Sequence, residues 1–258
     1  MRGTTAIAMW ELKVQAPKAQ ELCQACGHAC SYIFEGLPEA ARRELASLMR
    51  PLQVEAGELI FHEGLPAFGL YILCEGKVKL AKRVKAGHSQ ILKLLGPGEI
   101  LGEKTLFDRE TYTCYAKALE PSRLMFIARE DFLAFLKRYP DVALRLIEKL
   151  SRELKAFGDK LVEITARSAK ERMARVLLEL ARAFGRETPE GLDVGVELPR
   201  SELAEMAGVS TETAVRILSE FKDRGILALP GRRILILRLE ELQALAHPFR
   251  TFLRENLL

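Results

Sequence analysis

Residues Leu198–Phe221, LPRSELAEMAGVSTETAVRILSEF, carry two short helical periods separated by Gly208-Val209-Ser210. In the first, Ser201 stands where a hydroxyl can accept from the free amides of an opening turn, Leu203, Ala204 and Met206 supply apolar surface, and Gly208 ends the run. In the second, Ser210 is placed to cap a helix starting at Thr211. There Ala214, Ile217, Leu218 and Phe221 recur at spacings of three and four and form one stripe to bury. The opposite face holds Thr211, Glu212, Val215 and Arg216. Two helices joined through a glycine turn, the second with a polar and uncommitted N-terminal half, make a helix-turn-helix, whose exposed residues can reach base edges in the major groove. Spacing alone would also allow an ordinary helical hairpin.

The residues after Phe221 favour the DNA-binding reading. Gly225-Ile-Leu-Ala-Leu229, a Pro230-Gly231 turn and Arg232-Arg-Ile-Leu-Ile236 form a hairpin placed like the wing of a winged helix. Charge adds a second argument through its distribution. Over residues 168–258, 14 Lys and Arg balance 14 Asp and Glu, although the whole chain carries a net charge of +4. Yet from Arg216 to Arg233 there are five bases and two acids, while Glu187 to Glu205 holds six acids and one arginine. One side of the domain can therefore meet phosphate while the other avoids it.

Upstream, Ser168-Ala-Lys-Glu171 reads as a capping box opening a helix through Phe184, and residues 185–199 read as a loop. Before it, Pro140 opens the longest helical segment, to about Ala166. Ala143, Ile147, Leu150, Leu154, Phe157, Leu161 and Ile164 alternate steps of four and three between charged positions, an a/d seam of three heptads. The seam predicts a homodimer interface; the competing reading is a helix packed on its own sensor domain. From Leu52 to about Ala128, short apolar runs (Leu70–Leu73, Val78–Leu80, Ile91–Leu95) alternate with glycines, the pattern of a closed antiparallel β-barrel or jelly roll. Short helices are expected over Pro38–Met49 and Arg129–Arg138.

The N-terminal arm contains Cys23-Gln-Ala-Cys26-Gly-His-Ala-Cys30. Three thiols in one loop suit an iron–sulfur cubane completed by a fourth ligand. They also suit zinc, with His28 or Cys114 as fourth ligand, or a thiol redox switch without metal. An odd total of five cysteines, no cleavable leader and no long apolar span predict a cytoplasmic protein with reduced thiols. No nucleophile beside a histidine, phosphate loop or carboxylate pair points to an enzyme.

The order of sensor barrel, long helix and winged helix-turn-helix, with Pro97-Gly-Glu-Ile-Leu-Gly-Glu103 and Glu212-Thr-Ala-Val-Arg216, resembles the CRP/FNR family of transcription regulators over about residues 35 to 245. The resemblance implies an α+β chain: an arm with the cysteines (1–34), a cyclic-nucleotide-binding-like β-barrel or jelly roll (35–139), a dimerisation helix (140–167) and a winged helix-turn-helix (168–258). It implies a homodimer on a palindromic double-stranded DNA site, with RNA polymerase as a further partner and no membrane. Glu212 and Arg216 would read TGA-type half-sites beside Val215. Ser210, Thr211, Lys222, Arg224, Arg232 and Arg233 are candidates for further contact with bases or phosphates.

Nucleotide-binding members follow Gly-Glu by about ten residues with Arg-Ser/Thr. The glutamate takes the ribose hydroxyl and the arginine the cyclic phosphate. Here Gly102 and Glu103 are followed by Tyr112-Thr113, with Arg109 out of register, so a cyclic nucleotide lacks its cation. The three cysteines instead resemble the FNR branch, which implies a [4Fe-4S] cluster sensing O2, NO or redox state, held by Cys23, Cys26, Cys30 and a fourth cysteine in the barrel. The last cysteine gap is shorter than that pattern, and the fourth position holds Met125. Cys114 is the substitute expected, with Asp108 as another ligand and Cys74 as a buried apolar thiol. The remaining alternatives are a ligand-independent regulator, a cyclic-nucleotide sensor and a haem sensor using His62 or His88.

Overall fold

The computed structural model describes residues 31–84, 89–107 and 111–246, with the backbone alone over 159–166. Contacts group into two compact units: the first runs to Lys82 and resumes over Lys93–Arg152, and the second takes Arg83–Leu92 and continues from Glu153 inside the long helix.

The first unit begins with a single 3-10 turn, Tyr32–Phe34, followed by α1 (Glu39–Leu48). Eight strands come next: β1 (Arg50–Val54), β2 (Leu59–Phe61), β3 (Gly69–Glu75), β4 (Val78–Arg83), β5 (Ser89–Leu95), β6 (Ile100–Leu101), β7 (Tyr115–Ala118) and β8 (Ser122–Ala128). They form two four-stranded sheets, ordered β1-β8-β3-β6 and β2-β7-β4-β5. Of the two forms expected, barrel or jelly roll, the domain takes the jelly roll, with its two sheets not closed into a barrel. Pairing in the first sheet stops at the two-residue β6.

Each side of the first sheet has its own core. Toward the second sheet lie Leu73, Leu101, Leu124 and Tyr112; on the other side Leu70, Ile72, Cys74, Met125 and Ile127 pack against Ile33, Phe34 and the helices. This double burial explains why β3 reads as a nearly unbroken apolar run. The helices on that side are α1, α2 (Arg129–Arg138) and the first half of α3 (Pro140–Ala166).

The α3 helix carries two apolar stripes. Val142 and Leu146 are buried in the core, with Ala143 and Leu150 half-buried beside them. Leu144, Ile147, Leu154 and Phe157 are 57–72% exposed. Packing on its own domain and an uncovered seam, competing readings at the sequence level, therefore coexist on one helix. The seam is narrower than expected: Leu150 turns toward the core, and the side chains of Leu161 and Ile164 lie outside the described residues.

The second unit contains α4 (Ala169–Phe184), capped by Ser168 Oγ, which accepts from the Glu171 amide at 3.3 Å, α5 (Arg200–Ala207), α6 (Thr211–Asp223) and α7 (Leu239–Ala246). Residues 185–199, expected to be a loop, fold into β9 (Arg186–Thr188) and β10 (Gly191–Asp193). These join β11 (Leu227–Ala228) and β12 (Leu235–Ile236) in one sheet ordered β11-β12-β10-β9. The turn between β9 and β10 is set by Gly191 at φ 141° and by Thr188 Oγ1 donating to the Gly191 carbonyl at 2.7 Å. Among the described residues no helix is long and apolar enough to cross a membrane.

Phe221 is fully buried at the centre of the second unit. Phe221→Ala is expected to cost about 3–5 kcal/mol, checked by urea unfolding followed by circular dichroism.

Candidate nucleic-acid interface and sensor site

The α6 helix is fixed from three sides. Its N-terminus is capped as the sequence predicts: Ser210 Oγ accepts from the Thr213 amide at 3.2 Å. Its apolar face, Ala214, Ile217, Leu218 and Phe221, is at most 3% exposed. The turn before it takes a left-handed Gly208 (φ 62°), and Arg172 of α4 staples that turn, Nε donating to the Ala207 carbonyl at 2.8 Å and Nη2 to that of Gly208 at 3.3 Å. Ser201 does not act as a cap. The helix starts one residue earlier, at Arg200 after Pro199, whose fixed φ already suits a helix start, so Ser201 is an exposed residue of the first turn.

With one face buried, the other is presented. Ser210, Thr211, Glu212, Val215, Arg216 and Lys222 are all exposed, Val215 at 48%, and Glu212 and Arg216 stand one turn apart around Val215. This is the surface that the sequence assigns to base contact. On the wing, Arg232 is exposed at the β11–β12 turn, whereas Arg233 is engaged: Nε and Nη2 donate to Asp193 Oδ2 of β10 at 2.8 and 2.6 Å. Arg224 lies 3.6 Å from Glu241. The β9–β10 hairpin thus supplies the carboxylate that braces the wing, a role hidden by its being read as a loop.

In the sensor domain, Cys23, Cys26, Cys30 and His28 lie outside the described residues, as do His88, Asp108 and Arg109. Among the described residues, no group of three or more His, Cys, Asp or Glu side chains is arranged to hold a metal ion, so any metal reading rests on the cysteine loop. The chain re-enters the described region at Ser31. Immediately afterwards it is fastened to α3: Tyr32 Oη donates to the Arg145 carbonyl at 3.4 Å, Arg145 Nη1 donates to the Glu35 carbonyl, and the Arg152 guanidinium sits 4.9 Å over the Tyr32 ring.

The other cysteines separate by sheet face. Cys114 packs against the core between the sheets, and burial pushes its thiol pKa up, disfavouring thiolate. Cys74 lies in the same core as Ile33, Phe34 and Met125. His62 is exposed. Tyr112, standing where a phosphate-binding arginine was expected, is 5% exposed, stacks on Phe61 at 4.0 Å between centroids and donates to the Gly69 carbonyl at 3.1 Å. Glu103, 3% exposed, meets Lys149 Nζ of α3 at 2.5 Å.

A jelly-roll sensor domain, a long helix with an uncovered seam and a winged helix-turn-helix with a presented recognition face define a two-domain transcription regulator. The family model of the cyclic nucleotide-binding domain matches residues 51–139, and that of the Crp-like helix-turn-helix domain matches residues 171–245. The chain is 36% identical over 203 residues to the cyclic AMP receptor protein of Thermus thermophilus, covering 78% of this chain and 90% of that one. It is 30% identical over 204 residues to the CRP-like cAMP-activated global transcriptional regulator of Mycobacterium tuberculosis, covering 79% and 91%. A crystal structure of a CRP/FNR-family transcriptional regulator from Thermus thermophilus superposes with a TM-score of 0.63 at 25% identity, covering 77% of this chain and 98% of that chain. The chain belongs to the CRP/FNR family of transcription regulators.

Burial alone would raise the Asp193 carboxyl, but the Gly195 amide and the Arg233 guanidinium outweigh it and hold the pKa below its ordinary value. The stabilisation is therefore complete above the unfolded-state carboxylate pKa of about 3.9 and is lost as pH falls through the lower folded value. Unfolding midpoints of wild type and Asp193→Asn are expected to differ at neutral pH and to converge in strong acid.

Proposed function

We propose that the protein is a homodimeric, sequence-specific DNA-binding regulator that reads TGA-type half-sites of a palindrome. The supporting observation is the α6 face, on which Glu212, Val215 and Arg216 are exposed together while the opposite stripe is buried. Glu212 can accept from cytosine N4, Arg216 can donate bidentately to guanine O6 and N7, and Val215 suits a thymine methyl. Ser210, Lys222 and Arg232 would meet phosphate, and Thr211 base or backbone; their exposure supports this. Arg233 belongs to the wing brace first. The partner subunit would cover Ile147, Leu154 and Phe157 of α3, an apolar stripe too exposed to suit a lone helix in water. Leu161 and Ile164 would extend it.

Arg216→Ala is expected to weaken half-site binding by about 1–3 kcal/mol and relax the preference for guanine, measured by fluorescence anisotropy with matched and guanine-substituted duplexes. Equal loss on both duplexes would show that Arg216 touches only the backbone.

The signal we assign is O2, NO or redox state, read by a [4Fe-4S] cluster on Cys23, Cys26 and Cys30. Such a cluster supplies one-electron and ligand-exchange chemistry easily reached by small oxidants. The segment directly after Cys30 is fastened to α3 through Tyr32, Glu35, Arg145 and Arg152, which gives the loop a short mechanical route to the dimer helix. For the fourth ligand, the packing favours Cys74 over Cys114, because Cys74 shares a core with Ile33, Phe34 and Met125. Zinc or a metal-free thiol switch on the same loop is the second reading.

Anaerobic purification is expected to give a coloured protein with equal iron and acid-labile sulfide. Cys74→Ser should lose the cluster and Cys114→Ser should retain it. A colourless zinc protein would remove the iron–sulfur reading; retention in Cys74→Ser would return the fourth position to Cys114 or a carboxylate.

A further inference from the structure

Lysine and glutamate are rarely buried, and a buried ion pair costs desolvation that its own attraction barely repays. Glu103 and Lys149 nevertheless form one, with side chains 3% and 9% exposed and 2.5 Å between Oε1 and Nζ. Each is delivered by rigid local structure. Glu103 opens a single 3-10 turn, Glu103–Thr105, entered through a left-handed Gly102 (φ 87°) and closed by Thr105 Oγ1 donating to the Gly102 carbonyl at 3.1 Å. The turn is tight: a Cβ on Gly102 would stand 3.0 Å from the Gly69 carbonyl oxygen and 3.3 Å from the Tyr112 ring. Lys149 extends the buried stripe of α3 at helical spacing, Val142, Leu146, Lys149. One turn on, Arg152 is exposed and Glu153 half-buried, so Lys149 is the last buried position of the stripe among the described residues.

The carboxylate engaged by Lys149 is the one that the family resemblance assigns to a nucleotide's ribose. The residue standing in for the phosphate cation, Tyr112, is stacked and hydrogen-bonded within the core. Both polar groups that would greet a cyclic nucleotide are therefore already answered by the chain. We propose that Lys149 is an intramolecular occupant of the sensor domain's ligand site: its ammonium takes the Glu103 carboxylate and ties the long helix to the jelly roll without a small effector. A domain that matches the cyclic nucleotide-binding model is on this account indifferent to cyclic nucleotides, whatever the cysteine loop holds.

The full-length protein tests this with two metal-independent readouts. Titration calorimetry with cyclic AMP at millimolar concentration is expected to show no binding. Removing one partner strands a buried charge, so Lys149→Met is expected to speed amide exchange over residues 146–152 on the order of a hundredfold, and Glu103→Gln to do likewise. The double variant should be no worse than the worse single, since no charge is then left unpaired. Should Lys149→Met fail to fold, Lys149→Gln takes its place in the same cycle. Strictly additive effects, wild-type exchange in the single variants, or cyclic AMP binding to the wild type would each overturn the proposal.

Discussion

A helix with two apolar stripes cannot satisfy both by packing on one domain. On α3 the inner stripe, Val142, Leu146 and the stem of Lys149, is consumed by the jelly roll beneath it, and this leaves Leu144, Ile147, Leu154 and Phe157 facing water. Burying a Leu or Phe side chain is worth roughly 1.5–3 kcal/mol, so an uncovered row of four carries a strong drive toward an apolar partner. Every other role proposed for the chain depends on that division. The sensor domain packs on the inner stripe, and on the proposed reading the partner subunit would cover the outer one.

The second unit solves a different problem, which is to present a neutral domain to a polyanion. With acids and bases balanced over residues 168–258, long-range attraction is weak, and binding must come from where the charges sit. The acids of residues 187–205 are partly structural. Asp193 holds Arg233 and orders the wing, so one acid fixes the geometry of a basic segment. On the proposed reading specific contact falls to the α6 face, which a cap, a buried stripe and the Arg172 staple hold in place. Preorganisation of this kind reduces the ordering cost of binding.

The helices and the recognition face were legible because their signals are local. Pro140, the Ser168–Glu171 box, the Ser210 cap and Gly208 each mark a boundary through one residue's own chemistry, and the spacing of Ala214, Ile217, Leu218 and Phe221 identifies a buried face without knowledge of its partner. What escaped depends on distant chain. The β9–β10 hairpin is built from three-residue strands, too short for a period, and becomes a sheet only by pairing with β12. Open sheets and a closed barrel share the same punctuated runs. Which core Cys74 and Cys114 join follows from how the two sheets pack, and nothing in the α3 sequence marks Lys149, flanked by other charges, as the one that points inward.

Lys149 and the Ser31–Glu35 segment act on the same stretch of α3 from different directions. The 3-10 turn at Tyr32–Phe34 grips α3 at Arg145 and Arg152, and Lys149 anchors the helix to Glu103 between those two points. On the proposed reading, an event in the cysteine loop would act on a helix already held at Lys149 by Glu103. A pinned lever rotates about its pin and does not slide as a whole, so the response expected from such an arrangement is a change in the direction of the outer half of α3, from Arg152 onward. The exposed seam begins before the pin, at Leu144 and Ile147, and continues beyond it at Leu154 and Phe157. Contacts of the first pair can persist while those of the second are re-aimed. On the proposed reading, such a signal would re-aim the outer contacts of the helix within a dimer that stays assembled.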